Sequence, residues 1–359
     1  MFRHTRAALY LALVSSWACR HDSRAVATHG EPPDSSVSKR AGPSDRVRLR
    51  RILGDSLTWA RPASMLVLGT QLIVADRALD PHVAIVELTT GKVRRRLGLH
   101  GSESGQLVSP GWIVAQDQSR FWVFDQRQSR LVLYDLRLLG ESSYVRQLTI
   151  DSNAVARAPI PRRDSFIMTA MSPDHVLFIA DSSGHVDPLD AVELPFTKRH
   201  FPDSVTRLLA NMRSLAVDQD GGQFAISYRL ANRLDFFRID GRFVRTVRGP
   251  MNVAEPAFRR ERGRVGLKSN TALAYGAAIT ASRRYVYAVW CGCTTEERSL
   301  GEKPRLILVY SWSGEFVTSF SLTGTVSAIA VSNDDRFLYS VRTHPWGAIE
   351  EWELPPSLR

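Results

Sequence analysis

The chain has 359 residues, 44% of them hydrophobic and 23% charged; this excludes a wholly disordered polypeptide and leaves room for two ordinary domains or one large β-architecture. Its 47 Lys and Arg against 36 Asp and Glu give a formal charge of +11. The arginines are scattered and no RRM, KH, helix-turn-helix or zinc-finger signature accompanies them, so nucleic acid is not an expected partner.

The first element in chain order is a leader. Residues 1–6, MFRHTR, are basic, and residues 7–18, AALYLALVSSWA, form an apolar run of 12 residues. That run is too short to span a bilayer as a helix and suits a signal peptide. Ser16 and Ala18 are the small residues that cleavage needs, and Cys19 follows them. The sequence SSWAC resembles the lipobox of bacterial lipoproteins, which implies that Cys19 is acylated and that the membrane is a partner through a lipid anchor. Cleavage after Ala18 with Cys19 incidental is the alternative. Either way the protein is expected to be exported, to the periplasm or the outer membrane, since Arg20 stands where an Asp would resemble the inner-membrane retention signal. Loss of Arg3 and Arg6 with the leader leaves a charge of about +9. Residues 19–45 are rich in Ser, Pro and Gly with almost no large apolar side chains; they read as a disordered tether reaching on the order of 30 Å.

From residue 46 to 359 a unit recurs: a β-rich run, a polar loop, a second run, and in several copies a Gly-containing turn and a third run. TQLIVADRALDPHVAIVELTTGKVRRRLG (residues 70–98) lines up with RFWVFDQRQSRLVLYDLRLLGESSYVRQL, then with residues 175–196, 222–249, 284–320 and 336–354. One further short run precedes each copy: SMLVLG, GWIVAQ, FIMTAM, RSLAVD, GAAITA and SAIAVS. Corresponding points at Asp76, Asp125, Asp181, Tyr228, Trp290 and Arg342 lie 47 to 62 residues apart, the spacing of four-stranded propeller blades with loop insertions. The sixth unit lacks its last strand, and residues 46–53, RVRLRRIL, are available to supply it. The expected fold is an all-β, six-bladed, monomeric β-propeller closed by an N-terminal strand. Residues 150–165 and 250–272 read as insertions overhanging the loop face.

The blade GSESGQLVSPGWIVAQDQSRFWVFDQRQSRLVLYDL resembles the NHL repeat, with Arg130 and Asp135 on its third-strand positions. IAVSNDDRFLYSV (residues 329–341) resembles the hairpin of TolB-like blades. The resemblance implies a six-bladed propeller over residues 46–354, in an architecture that hosts binding modules, hydrolases and dehydrogenases alike.

Enzymes of that architecture set two tests. Lactonase-like propellers hold a divalent metal on hard oxygen ligands where the innermost strands begin. Those entrances read here as Ala63-Ser64, Gly111-Trp112, Ile167-Met168, Arg213-Ser214, Gly276-Ala277 and Val326-Ser327, with no carboxylate among them. Quinone-dependent dehydrogenases need a basic residue and a His near the axis, where Arg213 qualifies in position; its bland alternative is a channel-wall charge bonded to carbonyls. Asp76, Asp125 and Asp181, each after an inner strand, read as caps of loop amides. His82, His100, His175, His185, His200 and His344 fall on different blades without metal-ligand spacing, and no nucleophile elbow or phosphate loop is present. No catalytic residue, metal or cofactor is therefore assigned.

The expected function is binding. Trp59, Arg61, Arg77, Trp112, Arg127, Arg213, Arg229, Trp290 and Trp346 fall on one loop face, and Trp with Arg is the composition of interface hot spots. The partner would be an envelope protein or a small envelope ligand. Cys291 and Cys293, with Gly292 between them, are a candidate redox pair or two small residues at a strand end. A disulfide between them requires a turn at Gly292.

Overall fold

Runs such as LIVA (residues 72–75) and LVLY (131–134) are apolar on both faces, so each sheet must be covered on both sides. Radial stacking achieves this, since every blade then lies between two others. The computed structural model describes residues 47–359 apart from 55–56, 140–142, 152–155, 171, 190–191, 219, 221, 250–252, 301–304 and 343–346. They form a six-bladed β-propeller of four-stranded antiparallel sheets.

Blade 1 is β2 (Pro62–Leu68), β3 (Gln71–Asp76), β4 (Val83–Glu87) and β5 (Val93–Leu97), in that order from the axis outward, with β1 (Arg48–Leu53) belonging elsewhere. Blade 2 is β6 (Pro110–Ala115), β7 (Arg120–Asp125), β8 (Arg130–Asp135) and β9 (Tyr144–Thr149). Arg130 and Asp135 thus bound the third strand. Blade 3 is β10 (Ala156–Pro161), β11 (Ser165–Ala170), β12 (Leu177–Asp181) and β13 (Val186–Leu189). After helix α1 (Ser204–Ala210), blade 4 follows as β14 (Arg213–Val217), β15 (Gln223–Tyr228), β16 (Leu234–Arg238) and β17 (Phe243–Val247). A hairpin of β18 (Phe258–Glu261) and β19 (Arg264–Leu267) precedes blade 5. That blade contains β20 (Ala272–Ala281), β21 (Tyr285–Thr294), β22 (Arg305–Ser311) and β23 (Phe316–Leu322), with helix α2 (Thr295–Leu300) after β21. Blade 6 has β24 (Val326–Val331), β25 (Phe337–Arg342) and β26 (Ala348–Glu353).

The fourth strand of blade 6 is β1, in the register Arg48↔Glu353 to Leu53↔Ile349. Glu351, 1% exposed, accepts from Arg50 at 3.2 Å and Arg51 at 3.0 Å, and Arg48 pairs with Glu353 at 2.7 Å. Leu53 is fully buried beside Trp59, Val341 and Ile349. The expected closure by the N-terminal strand is what the structure shows.

Blade 3 corrects the sequence reading. FIMTA is its second strand, and the innermost is β10, within the segment read as an insertion. Ile167 and Met168 are therefore not an axial entrance. Asp181 ends a third strand, not a second, and antiparallel pairing carries it to the face opposite Asp76 and Asp125. β10 carries Pro159 and Pro161, yet it pairs with β11 alone. A proline on an edge strand removes no ladder hydrogen bond on its open side.

The core lies between blades. Phe236 meets Trp312 edge to face at 6.2 Å between blades 4 and 5, and Trp122 meets Phe166 at 5.2 Å between blades 2 and 3.

Candidate functional site: the central cavity

The first strands β2, β6, β10, β14, β20 and β24 each present one edge to the axis. Bulges interrupt five of them near their entrances, as between Pro62 and Ser64 and between Val326 and Ala328. Small side chains along these strands, Ala63, Ala115, Ala216 and Ala328 among them, hold the axis open. The result is a cavity of about 620 Å³ whose wall is mostly aliphatic.

Its two mouths differ. At the loop face, where the first strands begin, Trp112 is half-buried and lines the cavity with Ser64, Ser214 and Ser327. The Ser64 hydroxyl accepts from the Ile113 amide at 3.2 Å and so joins blades 1 and 2. Arg77 donates to the Pro110 carbonyl at 3.0 Å and to Gln126 Oε1 at 2.7 Å. Burial, and then the charge of neighbouring Arg61, lower its pKa; both arginines stand on the loop face outside the cavity lining.

The opposite mouth carries carboxylates from turns between first and second strands: Asp117, Asp218 and Asp220, with Arg283 and Asn333. Arg283 pairs with Asp220 at 3.0 Å. Burial, and then the negative charge of Asp220, push the Asp218 carboxyl up, against amide bonds from Asp220 and Gly222. At Asp117 partial burial acts in the raising direction. The Ser119 and Arg120 amides and the Arg120 guanidinium outweigh it and hold the carboxyl at about 2. Sequence reasoning missed this mouth, although its signal was present: the same turn in blades 2, 4 and 6 reads QDQ, DQD and SND.

Several residues expected on the loop face lie elsewhere. Trp59 is fully buried and Trp290, within β21, is 1% exposed; both are core. Gly347 approaches the Trp59 backbone so closely that a Cβ there would lie 2.1 Å from its carbonyl oxygen. Arg213 is buried and donates to the carbonyls of Asn211, His175 and Val176 at 3.1, 2.7 and 3.2 Å. Burial lowers its pKa to about 10. It is a buried tie between chain segments, absent from the cavity wall. Arg61 and Arg127 are exposed, and Arg77 and Arg229 half-buried, on the loop face. Cys19, His344 and Trp346 lie outside the described residues.

The aspartates act as loop caps. Asp76 accepts from the Arg61 and Ala78 amides at 3.1 and 2.7 Å. Asp125 accepts from Val108, Ser109, Arg127 and Gln128, and Asp181 from Ser183 and His185. His82 is buried, with Nε2 at 3.1 Å from His100 Nδ1. Among the described residues no three His, Cys, Asp or Glu side chains gather as a metal-ligand set.

Gly292 has φ +53°, the turn that closure of CGC demands, and Cys291 and Cys293 are joined in a disulfide with Cα atoms 5.0 Å apart. Cys293 is buried beside Leu230 and Leu273, with Phe258 of the β18–β19 hairpin against them. That hairpin lies within the insertion at residues 250–272. Its Arg260 pairs with Asp203, the N-cap of α1, at 2.8 Å, and its Arg259 with Glu261 at 3.2 Å.

The chain is similar to solved structures of two Bacteroides proteins. A member of the DUF4221 family from Bacteroides vulgatus superposes with a TM-score of 0.56 at 10% identity, over 86% of this chain and 99% of that one. An exported-protein candidate of Bacteroides fragilis superposes with a TM-score of 0.51 at 8% identity, over 88% of this chain and 97% of that one. At such identities the likeness shows the fold alone. No family model matches the chain, and no curated protein matches it by sequence. Among the described residues, no helix is long and apolar enough to cross a membrane.

Proposed function

We propose that the protein is an exported, lipid-anchored β-propeller that binds a small, largely apolar molecule of the cell envelope in its central cavity. The observation that carries this reading is the cavity of about 620 Å³, already open and mostly aliphatic, with polar groups confined to its mouths. Ligand sites combine an apolar preformed hollow with a few placed polar groups that orient the guest. Trp112 with Ser64, Ser214 and Ser327 at one mouth and the carboxylates at Asp117 and Asp218 at the other would select an amphiphile by its polar end. Export and anchoring rest on the basic leader, its apolar run of 12 residues and Cys19, together with the NHL-like and TolB-like blades.

Native mass spectrometry of the full-length protein taken from its own membranes tests the reading. The wild type should carry an acyl mass on Cys19 and one small organic adduct. Val114→Phe, which fills the cavity wall, should keep the acyl mass and lose the adduct. A wild type without an adduct, or an adduct indifferent to Val114→Phe, would remove the cavity from the function. A metal-sized or cofactor-sized adduct would transfer the reading to a channel hydrolase or dehydrogenase.

A further inference from the structure

The outer strands carry a recurring pair that the central cavity does not use. In β1, β5 and β9 an arginine stands two residues before a large apolar side chain: Arg51 before Leu53, Arg95 before Leu97, Arg146 before Leu148. Arg51 donates across the seam to the Leu88 and Thr89 carbonyls of blade 1, just past its third strand. Arg95 does the same to the Leu136 and Leu138 carbonyls of blade 2. Each guanidinium fastens one blade to the next through backbone acceptors.

The corresponding partner of Arg146 would be the Ser182 region of blade 3, and among the described residues no such bond forms. The backbone bond at this seam is kept: the Asp151 amide donates to the Gly184 carbonyl at 2.9 Å, as the Gly54 amide does to the Gly91 carbonyl at 2.7 Å beyond β1. Gly184, at φ +89°, lies so close that a Cβ would fall 1.9 Å from the Thr149 carbonyl oxygen. The Arg146 guanidinium instead lies 5.2 Å from the Trp122 ring centre. It lines a cleft of about 160 Å³ between blades 2 and 3.

Arg162 and Arg163, from the turn between β10 and β11, line the same cleft. Its apolar side is formed by Trp122 and Phe166, which are 0% and 6% exposed. None of the three arginines forms an ion pair among the described residues, and Asp164 is the one acidic side chain in the lining. Three guanidinium groups and one carboxylate leave a charge of about +2; Arg146 and Arg163 are exposed and Arg162 half-buried, so the cluster faces solvent with the Trp122 ring beside it.

We propose that this cleft is a binding site for a phosphomonoester, held by Arg146, Arg162 and Arg163. A phosphomonoester carries a charge of about −1.5 to −2, which the excess charge of the cleft matches. Guanidinium forks meet its oxygens in the bidentate geometry that both groups prefer. The volume admits the phosphoryl group and few further atoms, so the rest of the ligand lies over the exposed β10–β11 turn. The site is separate from the central cavity and stands independently of the function proposed for it; Gln116 is the residue common to both linings.

The test is calorimetric titration of the full-length protein in detergent with glycerol phosphate. A second arm compares binding to phosphatidylcholine vesicles with and without phosphatidate. One-to-one saturable binding of glycerol phosphate is expected, weakened on the order of tenfold in Arg146→Gln and in Arg163→Gln. Arg94→Gln, which alters an exposed rim pair with Glu87, should bind as wild type, and all variants should share one melting temperature. Phosphatidate-dependent binding without a glycerol phosphate signal would support the site and identify a lipid headgroup; the reverse would support a soluble ligand. No saturable response in either arm, or wild-type affinity in Arg146→Gln, would overturn the proposal. Acetate binding as tightly as glycerol phosphate would overturn the assignment to a phosphoryl group.

Discussion

Ring closure can be tested at one side chain. In β1, Leu49 and Ile52 are 44% and 52% exposed, and Leu53 is the large apolar residue that enters the seam between blades 6 and 1. Leu53→Ala removes three buried carbon groups at about 0.8 kcal/mol each, about 2.4 kcal/mol of transfer free energy. The space left behind adds to this, because Val341 and Ile349 are held by blade 6 and Trp59 by the Gly347 backbone packed against it, so they cannot collapse into it. The expected loss is therefore about 3–4 kcal/mol. Leu49→Ala, two turns of the pleat away and solvent-facing, should cost no more than about 0.5 kcal/mol. Urea denaturation followed by circular dichroism and by tryptophan fluorescence measures both. Equal losses in the two variants, or a Leu53→Ala protein as stable as wild type, would refute closure by this strand.

Other measurements probe the rest of the ring. Asp125→Ala strips acceptors from four loop amides around a fully buried carboxylate and should destabilise by about 1–3 kcal/mol in the same urea assay; a neutral change would refute the capping role. Asp117 is held at about 2 by amides and Arg120, so its contribution is present above the ordinary carboxylate range and is lost as pH falls through about 2. Melting curves should therefore separate wild type from Asp117→Asn most at pH 5–6 and draw them together toward pH 2; a gap independent of pH would sink this account. Alkylation of the native protein should leave Cys291 and Cys293 unmodified until a reductant is added, and labelling before reduction would mean that the pair is open.

The propeller was legible because burial between blades demands apolar runs on a regular spacing, and turns such as TTGK and IDGR punctuate them. The blade that misled was the third. ARAPIP lacks the look of a strand because two prolines interrupt it, yet an axial strand has an open edge where a missing N–H costs little. The DSSG turn after β12 then imitated the loops after Asp76 and Asp125, shifting the register by one strand. Tryptophans misled for another reason. Trp59 and Trp290 sit at loop boundaries in the sequence, and only the packing of Gly347 on Trp59 and of Tyr275 on Trp290, at 5.0 Å edge to face, buries them. The carboxylate mouth was missed because one residue per turn carries no period that a single strand reveals. The cleft between blades 2 and 3 was missed because the lone arginine of YVRQL draws less notice than the three of VRRRL, and only the packing of Arg146 on Trp122, beside the turn that carries Arg162 and Arg163, distinguishes it from Arg95.

Pairing of Arg48 with Glu353 joins residues 305 positions apart, and this governs how the molecule comes into being. Blades 1 to 5 each complete themselves from consecutive chain, so their contacts form over short distances. The sixth must wait until β26 exists and then capture a strand made long before. Until that moment β1 has no neighbour, while blade 1 lacks the cover that Leu53 and the Arg51 bonds provide. The arginines that later grip Glu351 and Glu353 keep the waiting strand hydrated and discourage it from pairing with other chains. The final step of assembly is thus a single long-range capture, and its rate sets how long the unfinished ring remains open to proteolysis and to partners of its own kind.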